Sequence, residues 1–342
     1  MSIDYHVHLE EGPYSFKWLN RTNKALGHFK QHSLDKHTYG WLNESMERVM
    51  ERIRRGAYHE SWVDLYLQEA KRKGLKEVGI VDHLYRFHET RPYFEKHLDL
   101  SDTDIGKMQQ NWLNQVMTEK FELFVAAIEK AKLRWAKQGV ILRLGIEADY
   151  FPGGEKELQK LVEQYEWDFV IGSVHFLDGW GFDNPDSKDQ YENVDLYLAY
   201  ERFFTVVEKA IRSKLFDFIA HLDNFKVFGY RPDEQLLVPH YHRIAKALAE
   251  TNTATEINAG LYYRYPIKEM CPSPNFLDIL LQHRVHFTIS SDSHFPDDVG
   301  NFVERNKQAL LQSGVQRVAT FDKRKRIMKA IGELFPVEHR LH

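Results

Sequence analysis

The six residues Ile3-Asp4-Tyr5-His6-Val7-His8 decide how this chain is read. A run that reads as a buried strand ends not in a turn but in two histidines spaced two apart. On an extended strand that spacing points both imidazoles to one face, where they can capture one ion together. The pattern recurs along the chain. Asp82-His83 follows Val78-Gly79-Ile80-Val81, Glu147 follows Leu142-Arg143-Leu144-Gly145-Ile146, and His175 ends Phe169-Val170-Ile171-Gly172-Ser173-Val174. His221 ends Phe216-Asp217-Phe218-Ile219-Ala220, and Asp292 and His294 end Phe287-Thr288-Ile289-Ser290-Ser291. A lone strand-end histidine is ordinarily a hydrogen-bonded rim residue. Six histidines and two acids in that position are different, because burying so many unpaired ionisable groups at one pole is very costly. Bound metal removes that cost.

Working outward, strand-like runs lie near residues 2–6, 77–81, 141–146, 168–173, 217–220, 253–258 and 285–291. Helical periodicity fills most gaps, at 62–73, 114–137, 155–164, 194–213, 236–249 and 276–283. Strands alternating with helices imply an α/β fold with a parallel sheet, and unbroken apolar strands suit burial on both faces. The alternatives are a TIM-like barrel and an open doubly wound sheet. The barrel is preferred because ligand types come from both ends of the sequence, whereas an open sheet binds at one switch point. Its metal centre would then lie at the C-terminal ends of the strands. Residues 1–342 read as a single domain with an insertion at about 12–60, rich in Lys, Arg, His and aromatics. Its helical part, 42–55, is expected to be a solvated cap over one rim or a lid that shapes the pocket.

Composition narrows the function classes. Hydrophobic content of 43% and charged content of 28% describe a globule with a real core. A formal net charge of −4 offers no footprint for long nucleic acid or an anionic membrane. No apolar run approaches the roughly 18 residues of a spanning helix. The N-terminus turns polar at once and does not read as a signal peptide. Cys271 is the only cysteine, which excludes an internal disulfide and leads us to expect a reducing cytoplasm.

Neutral imidazole suits zinc, iron and similar metals, and carboxylates suit harder ions and can bridge two of them. Eight ligand types exceed what one ion takes, so roughly two to three divalent transition-metal ions (Zn, Fe or Mn) are expected. Glu147 is the natural bridge, His175 and His221 complete a second site, and His83 and His294 are left for a third. Asp4 and Asp82 precede ligand candidates and are expected to orient imidazoles.

With these residues in hand, the sequence resembles the polymerase-and-histidinol-phosphatase (PHP) superfamily, and within it the histidinol-phosphate phosphatases. The matching segments are His6-Val7-His8, Gly79 to Leu84, Gly145 to Tyr150, Ile171 to Phe176, His221-Leu222-Asp223, Glu256 to Leu261 and Ser291 to His294. They cover residues 1–10 and about 62–320. The resemblance implies a distorted (β/α)7 barrel whose multinuclear, usually trinuclear, centre hydrolyses phosphate esters. It implies His6, His8, Glu147 and Asp292 at the first metal, Glu147, His175 and His221 at the second, and His83 and His294 at the third. Related proteins usually carry another ligand about six residues after the second histidine, where this chain has Tyr14; Glu11 is the nearby substitute, and the alternative is a two-metal centre with a weak third site.

The activity so implied is hydrolysis of a small phosphorylated metabolite, L-histidinol phosphate first, as a step of histidine biosynthesis. The alternatives are a PHP-type phosphoesterase acting on another metabolite or nucleotide, and a non-catalytic metal-dependent binding protein. Asp292, His83 and Asp223 are the candidate catalytic side chains. Asp223 is also a candidate to hold a substrate amine. Arg264 is the first candidate for the phosphate, with Arg86, Arg91, Lys226 and Arg231 behind it. His28, His32, His37, His59, His88 and His97 have no assignment, although His59 or His88 is near enough in sequence to approach the site.

Overall fold

The computed structural model describes residues 2–30 and 35–332. Seven strands form one parallel sheet in sequence order: β1 (Ile3–His8), β2 (Glu77–Val81), β3 (Ile141–Asp149), β4 (Phe169–Ser173), β5 (Phe218–Ile219), β6 (Ala254–Asn258) and β7 (Phe287–Ser290). Helices occupy most of the connections and cover the outside, so the strands are buried on both faces apart from the start of β3, which is why they read as apolar runs. The sheet nearly closes on itself. Past β7, Ser293 bridges Val7, and the His8 amide donates to the Ser293 carbonyl at 2.7 Å. Asp4 pins the seam by accepting from the Ser291 amide, the Ser291 hydroxyl and the Gly300 amide. Asp4 therefore holds the backbone that carries Asp292 and, among the described residues, bonds to no imidazole, in contrast to the role expected for it.

Phe169 fills the barrel interior across from two glycines. A Cβ on Gly79 or Gly145 would stand 2.6 or 2.4 Å from its ring, so both positions need glycine. The N-terminal end of the barrel is plugged by an antiparallel hairpin, β8 (Arg317–Asp322) and β9 (Lys325–Ala330). Its Phe321 ring sits against Tyr5, Phe169 and Phe218, and its amide donates to the Tyr5 hydroxyl.

Helices depart from expectation in two places. The stretch 114–137, expected as one helix, is two, Asp104–Val116 and Phe121–Lys137. The break is fixed by tertiary pairing: the Glu119 amide donates to the Arg86 carbonyl, and the His88 amide donates to the Glu119 carbonyl. The insertion holds α1 (Phe16–His28), which periodicity did not disclose, as well as α2 (Tyr39–Arg55), ahead of α3 (Glu60–Arg72). It rests on one rim. Glu10 accepts from Trp18 Nε1 and from Arg52, Arg52 lies over the Trp62 ring, and Arg21 pairs with Asp297 and Asp298. Among the described residues, no helix is long and apolar enough to cross a membrane.

Candidate metal centre

The C-terminal ends of the strands bring the eight sequence candidates together around Glu147, which is wholly buried. Its two oxygens face different neighbours. Oε2 lies 3.2 Å from His6 Nε2, 3.3 Å from His8 Nε2 and 2.9 Å from His83 Nδ1. Oε1 lies 3.4 Å from His175 Nε2 and 3.2 Å from His221 Nε2. Asp292 Oδ1 stands 4.0 and 3.9 Å from the same His6 and His8 nitrogens. Two imidazole pairs meet nitrogen to nitrogen, His175 with His221 at 3.3 Å and His83 with His294 at 3.4 Å. The ligand atoms gather in three overlapping groups: His6, His8 and Asp292; His83, Glu147 and His175; and His8, His83 and His294.

These residues fit a divalent cation. His6 Nε2, His8 Nε2, His83 Nδ1 and Glu147 Oε2 are buried without a hydrogen-bond partner, which a folded protein rarely tolerates. All of them point into the same small space. Burial and neighbouring charges push His8 and His294 well below the ordinary histidine range, whereas burial would lower His6 but Glu256, Glu147 and Asp292 lift it well above. Burial alone would raise Glu147, but His83, His6 and His175 overcome it and keep the carboxylate well below its usual range. Burial would lower His175, but Glu147, Asp183 and Asp149 lift it to about 10.

The backbone contributes too. His221 and Asp292 both sit at positive φ, 22° and 54°, in the region L-residues avoid. Such strain persists only where the surroundings over-determine it. Gly260 leaves room for the carboxylate of Asp292: a Cβ there would stand 2.4 Å from Oδ2.

Several supporting residues were missed by sequence reasoning. Glu256 holds His6 Nδ1 at 3.1 Å and accepts from the His221 amide, and Asp149 holds His175 Nδ1 at 2.7 Å. Each faces the imidazole nitrogen that points away from Glu147, which fixes ring orientation and tautomer. Both lie inside segments quoted for the resemblance, and the signal was an acidic residue two positions from a turn or ligand on the same face. Asp82 does not hold an imidazole as expected: its Oδ1 accepts from the Leu9 and Glu10 amides and its Oδ2 from Tyr58, while His8 Nδ1 stands 4.0 Å away without a hydrogen-bond partner.

A cleft opens over this cluster, lined by His83, His175, His221, Asp292 and His294 together with Glu11, Tyr85, Asp183, Asn224, Arg264 and Tyr265. Arg264 reaches in as expected, its Nη2 2.8 Å from Asp292 Oδ2. Glu11 is half-buried at the mouth, 4.0 Å from both His294 Nε2 and Arg264 Nη1. Asp183 was not foreseen; burial raises its pKa, and among the described residues it makes no hydrogen bond or ion pair.

Other candidates lie elsewhere. Asp223 is a correction: after His221 the chain turns instead of staying extended, and Asp223 Oδ2 is taken by Lys226 and the Ser273 amide. Arg86 is another: it is fully buried, donating to the Val116 carbonyl and to the Tyr14 hydroxyl. Tyr14, half-exposed, therefore serves Arg86. Arg91 is engaged with Glu95 and Asn114, and Lys226 and Arg231 with Glu269. His59 caps α3 and His28 faces Glu69; none of His28, His37, His59, His88 or His97 lines the cleft. His32 lies outside the described residues. The described residues of 12–60 contribute nothing to the lining.

Comparison with known proteins sharpens the picture. The family model described as "PHP domain" matches residues 60–260. A protein of Deinococcus radiodurans named "probable histidinol-phosphatase" is 36% identical over 209 residues, spanning 60% of this chain and 77% of that one. One of the same name from Clostridium acetobutylicum is 26% identical over 176 residues, spanning 48% and 66%. Among solved structures, the histidinol phosphate phosphatase of Lactococcus lactis, crystallised with zinc, L-histidinol and phosphate, superposes with a TM-score of 0.60. It covers 95% of this chain and 98% of its own at 16% identity, a likeness of fold.

Proposed function

The chain belongs to the PHP domain family, and from that premise we propose that it is a metal-dependent phosphatase that hydrolyses L-histidinol phosphate to L-histidinol and phosphate. The observation that carries the reading is the division of labour at Glu147, one oxygen toward His6, His8 and His83 and the other toward His175 and His221, beneath a cleft with an arginine at its edge. That arrangement suits a carboxylate shared by two ions. His6, His8 and Asp292 would complete one site, His175 and His221 the second, and His83, His294 and Glu11 a third. Ions so held supply Lewis acidity toward the phosphate and lower the pKa of an attacking water.

The protein's own groups do the rest. Arg264 offers a planar fork of donors to phosphate oxygens that the cluster leaves free, and its pairing with Asp292 keeps the fork aimed across the site. Asp292 and His83 are the groups assigned to carry the proton between the water and the departing alkoxide. Asp183, a carboxylate in the cleft without a partner among the described residues, is placed to hold the cationic end of an amino-alcohol phosphate, the task first considered for Asp223. The aromatic wall of Tyr85 and Tyr265 limits entry to a small metabolite.

The test is phosphate release from a panel of small phosphomonoesters by protein reconstituted with zinc, iron or manganese. L-Histidinol phosphate should exceed the others in kcat/KM by about 10-fold or more, the scale of discrimination available to one charged contact. Equal rates across the panel would remove the substrate assignment, and no release with any metal would remove the activity.

A further inference from the structure

Helix α2 carries a surface that phosphate hydrolysis does not use. Its inner face, Ser45, Val49 and Arg52, is buried. Its outer face presents Tyr39, Leu42, Met46, Met50 and Ile53, exposed by 79, 49, 49, 42 and 48%. These follow the three-and-four spacing of one helical stripe. A scattered exposed apolar residue is ordinary, but five in line mark an interaction surface. One edge of the stripe runs into the buried face. The other carries Glu47 and Arg54, which with Met46 and Met50 line a shallow hollow. Among the described residues neither Glu47 nor Arg54 has an ion partner, whereas Glu51 and Arg55 on the same helix pair with each other.

We propose that this face binds a second copy of the chain, α2 packing antiparallel on α2 with the two-fold axis beside Met50. The argument is self-complementarity, which an isologous contact requires. Counting from Met50, Met46 lies four residues before and Ile53 three after; Glu47 lies three before and Arg54 four after. In an antiparallel pair a residue lies level with the one equally far on the other side of the axis and within one helical rise, about 1.5 Å, of that one's neighbours, so residues on the same face meet when their counts agree to within one. Apolar Met46 thus meets Ile53 of the partner subunit, and Met50 meets its own copy. On the single exposed edge, Glu47 meets Arg54 of the partner subunit, and the symmetry makes this pair twice. One register therefore satisfies both the stripe and the unpaired charges, and it requires no other chain.

Sedimentation velocity on the full chain tests this. One helix pair is a small interface, so dimer dissociation is expected on the order of 10 μM. Met50→Glu should weaken association by roughly 30-fold or more, since it places like charges at the axis. Glu47→Arg and Arg54→Glu should each weaken it by about 10-fold, and the double exchange should return it to within about 3-fold of wild type. Met50→Cys, the one exposed thiol because Cys271 is buried, should cross-link to itself under mild oxidation. Phosphate release per chain serves as the folding control and should not change. A chain that stays monomeric at about 100 μM overturns the proposal. A dimer indifferent to Met50→Glu, or a double exchange without rescue, places the contact elsewhere. Release of the stripe by deleting residues 333–342 would assign it to the chain's own tail and equally overturn the dimer.

Discussion

At the N-terminal end of the barrel, Glu77 is wholly buried and wholly satisfied: Tyr5 donates to it at 2.6 Å, Arg143 at 2.8 Å and Lys329 at 2.6 Å. At the C-terminal end, Glu147 is equally buried, yet its Oε2 has no hydrogen-bond partner, and three imidazole nitrogens beside it are orphaned as well. Two carboxylates on adjacent strands of one barrel thus meet opposite fates. The lower one sits among fixed cations and completes a plug. The upper one sits among imidazoles pushed both ways, His8 and His294 lowered and His6 and His175 raised, and leaves the balance of charge open. Fully partnered burial contributes to stability, whereas partnerless burial marks a place prepared for something else.

The comparison is broken most directly at Glu147. Glu147→Gln keeps shape and removes the charge that both halves of the cluster share. Activity should fall by about 1000-fold or more, roughly 4 kcal/mol of barrier, together with metal content. The metal-free variant should melt no lower than metal-free wild type, because the apo site is itself unsatisfied. Added zinc should raise the melting temperature of wild type and leave that of the variant nearly unmoved. Near-normal turnover and metal content in the variant would show that Glu147 is not the shared ligand.

Arg264→Ala comes next. Loss of one strong charged donor in a closed site costs about 10- to 1000-fold in hydrolysis of small phosphomonoesters. Metal content should hold, since the guanidinium contacts Asp292 and takes no place among the imidazoles. If Arg264 serves ground and transition states alike, KM rises while kcat holds. A variant indistinguishable from wild type by steady-state kinetics would leave the cleft without a phosphate donor among its basic side chains.

Why the two ends differed in legibility follows from the same chemistry. Ligand residues must stand at strand ends, and strands are read from short apolar runs, so His6, His8, His83, Glu147, His175, His221, Asp292 and His294 were all visible in sequence. Strand order followed because each βα unit adds its strand beside the last. The plug was not visible: Glu77 finds Lys329 across 252 positions, and no local pattern encodes such a pair. Asp223 and Arg86 failed for a related reason. Both were placed by distance along the chain from a ligand, but a turn at His221 and a buried pocket around Arg86 redirected them. Asp183 lies on a loop with no periodicity at all, and only the fold brings it to the cleft.

The satisfied end should respond to Glu77→Gln in the opposite sense. Arg143 and Lys329 lose their counter-charge, and one of the two oxygens that accept from them and from Tyr5 becomes a donor, which should cost about 3 kcal/mol of stability, the range for breaking a buried charge cluster. Added metal should not compensate, and kcat of the folded enzyme should hold within about 3-fold, as expected of a site more than one layer away. Chemical denaturation with and without zinc separates the outcomes. A large loss of kcat at unchanged stability would mean that the two ends are coupled and that the contrast drawn between them is false.

The smallest effect is expected at Glu11, where the comparison is sharpened rather than broken. Glu11 is the least buried of the acidic candidates, its side chain 40% exposed, and its carboxylate stands 4.0 Å from His294 and equally far from Arg264. An exposed carboxylate at that range contributes little on its own, because water screens it and its side chain must be held in place. His83 and His294 alone make a poor site for an ion that prefers about four protein ligands. If Glu11 completes that site, Glu11→Ala should remove one metal equivalent and lower activity by roughly 10-fold, leaving the ions beside Glu147 in place. If Glu11 only balances Arg264, metal content stays constant and KM shifts by about 3-fold or less. Elemental analysis beside steady-state kinetics distinguishes the two. We expect the first outcome, because His294 is held neutral and its Nε2 faces His83 Nε2 at 3.4 Å, an approach that a shared cation stabilises. Unchanged metal content and unchanged kinetics together would reduce the centre to the ions around Glu147.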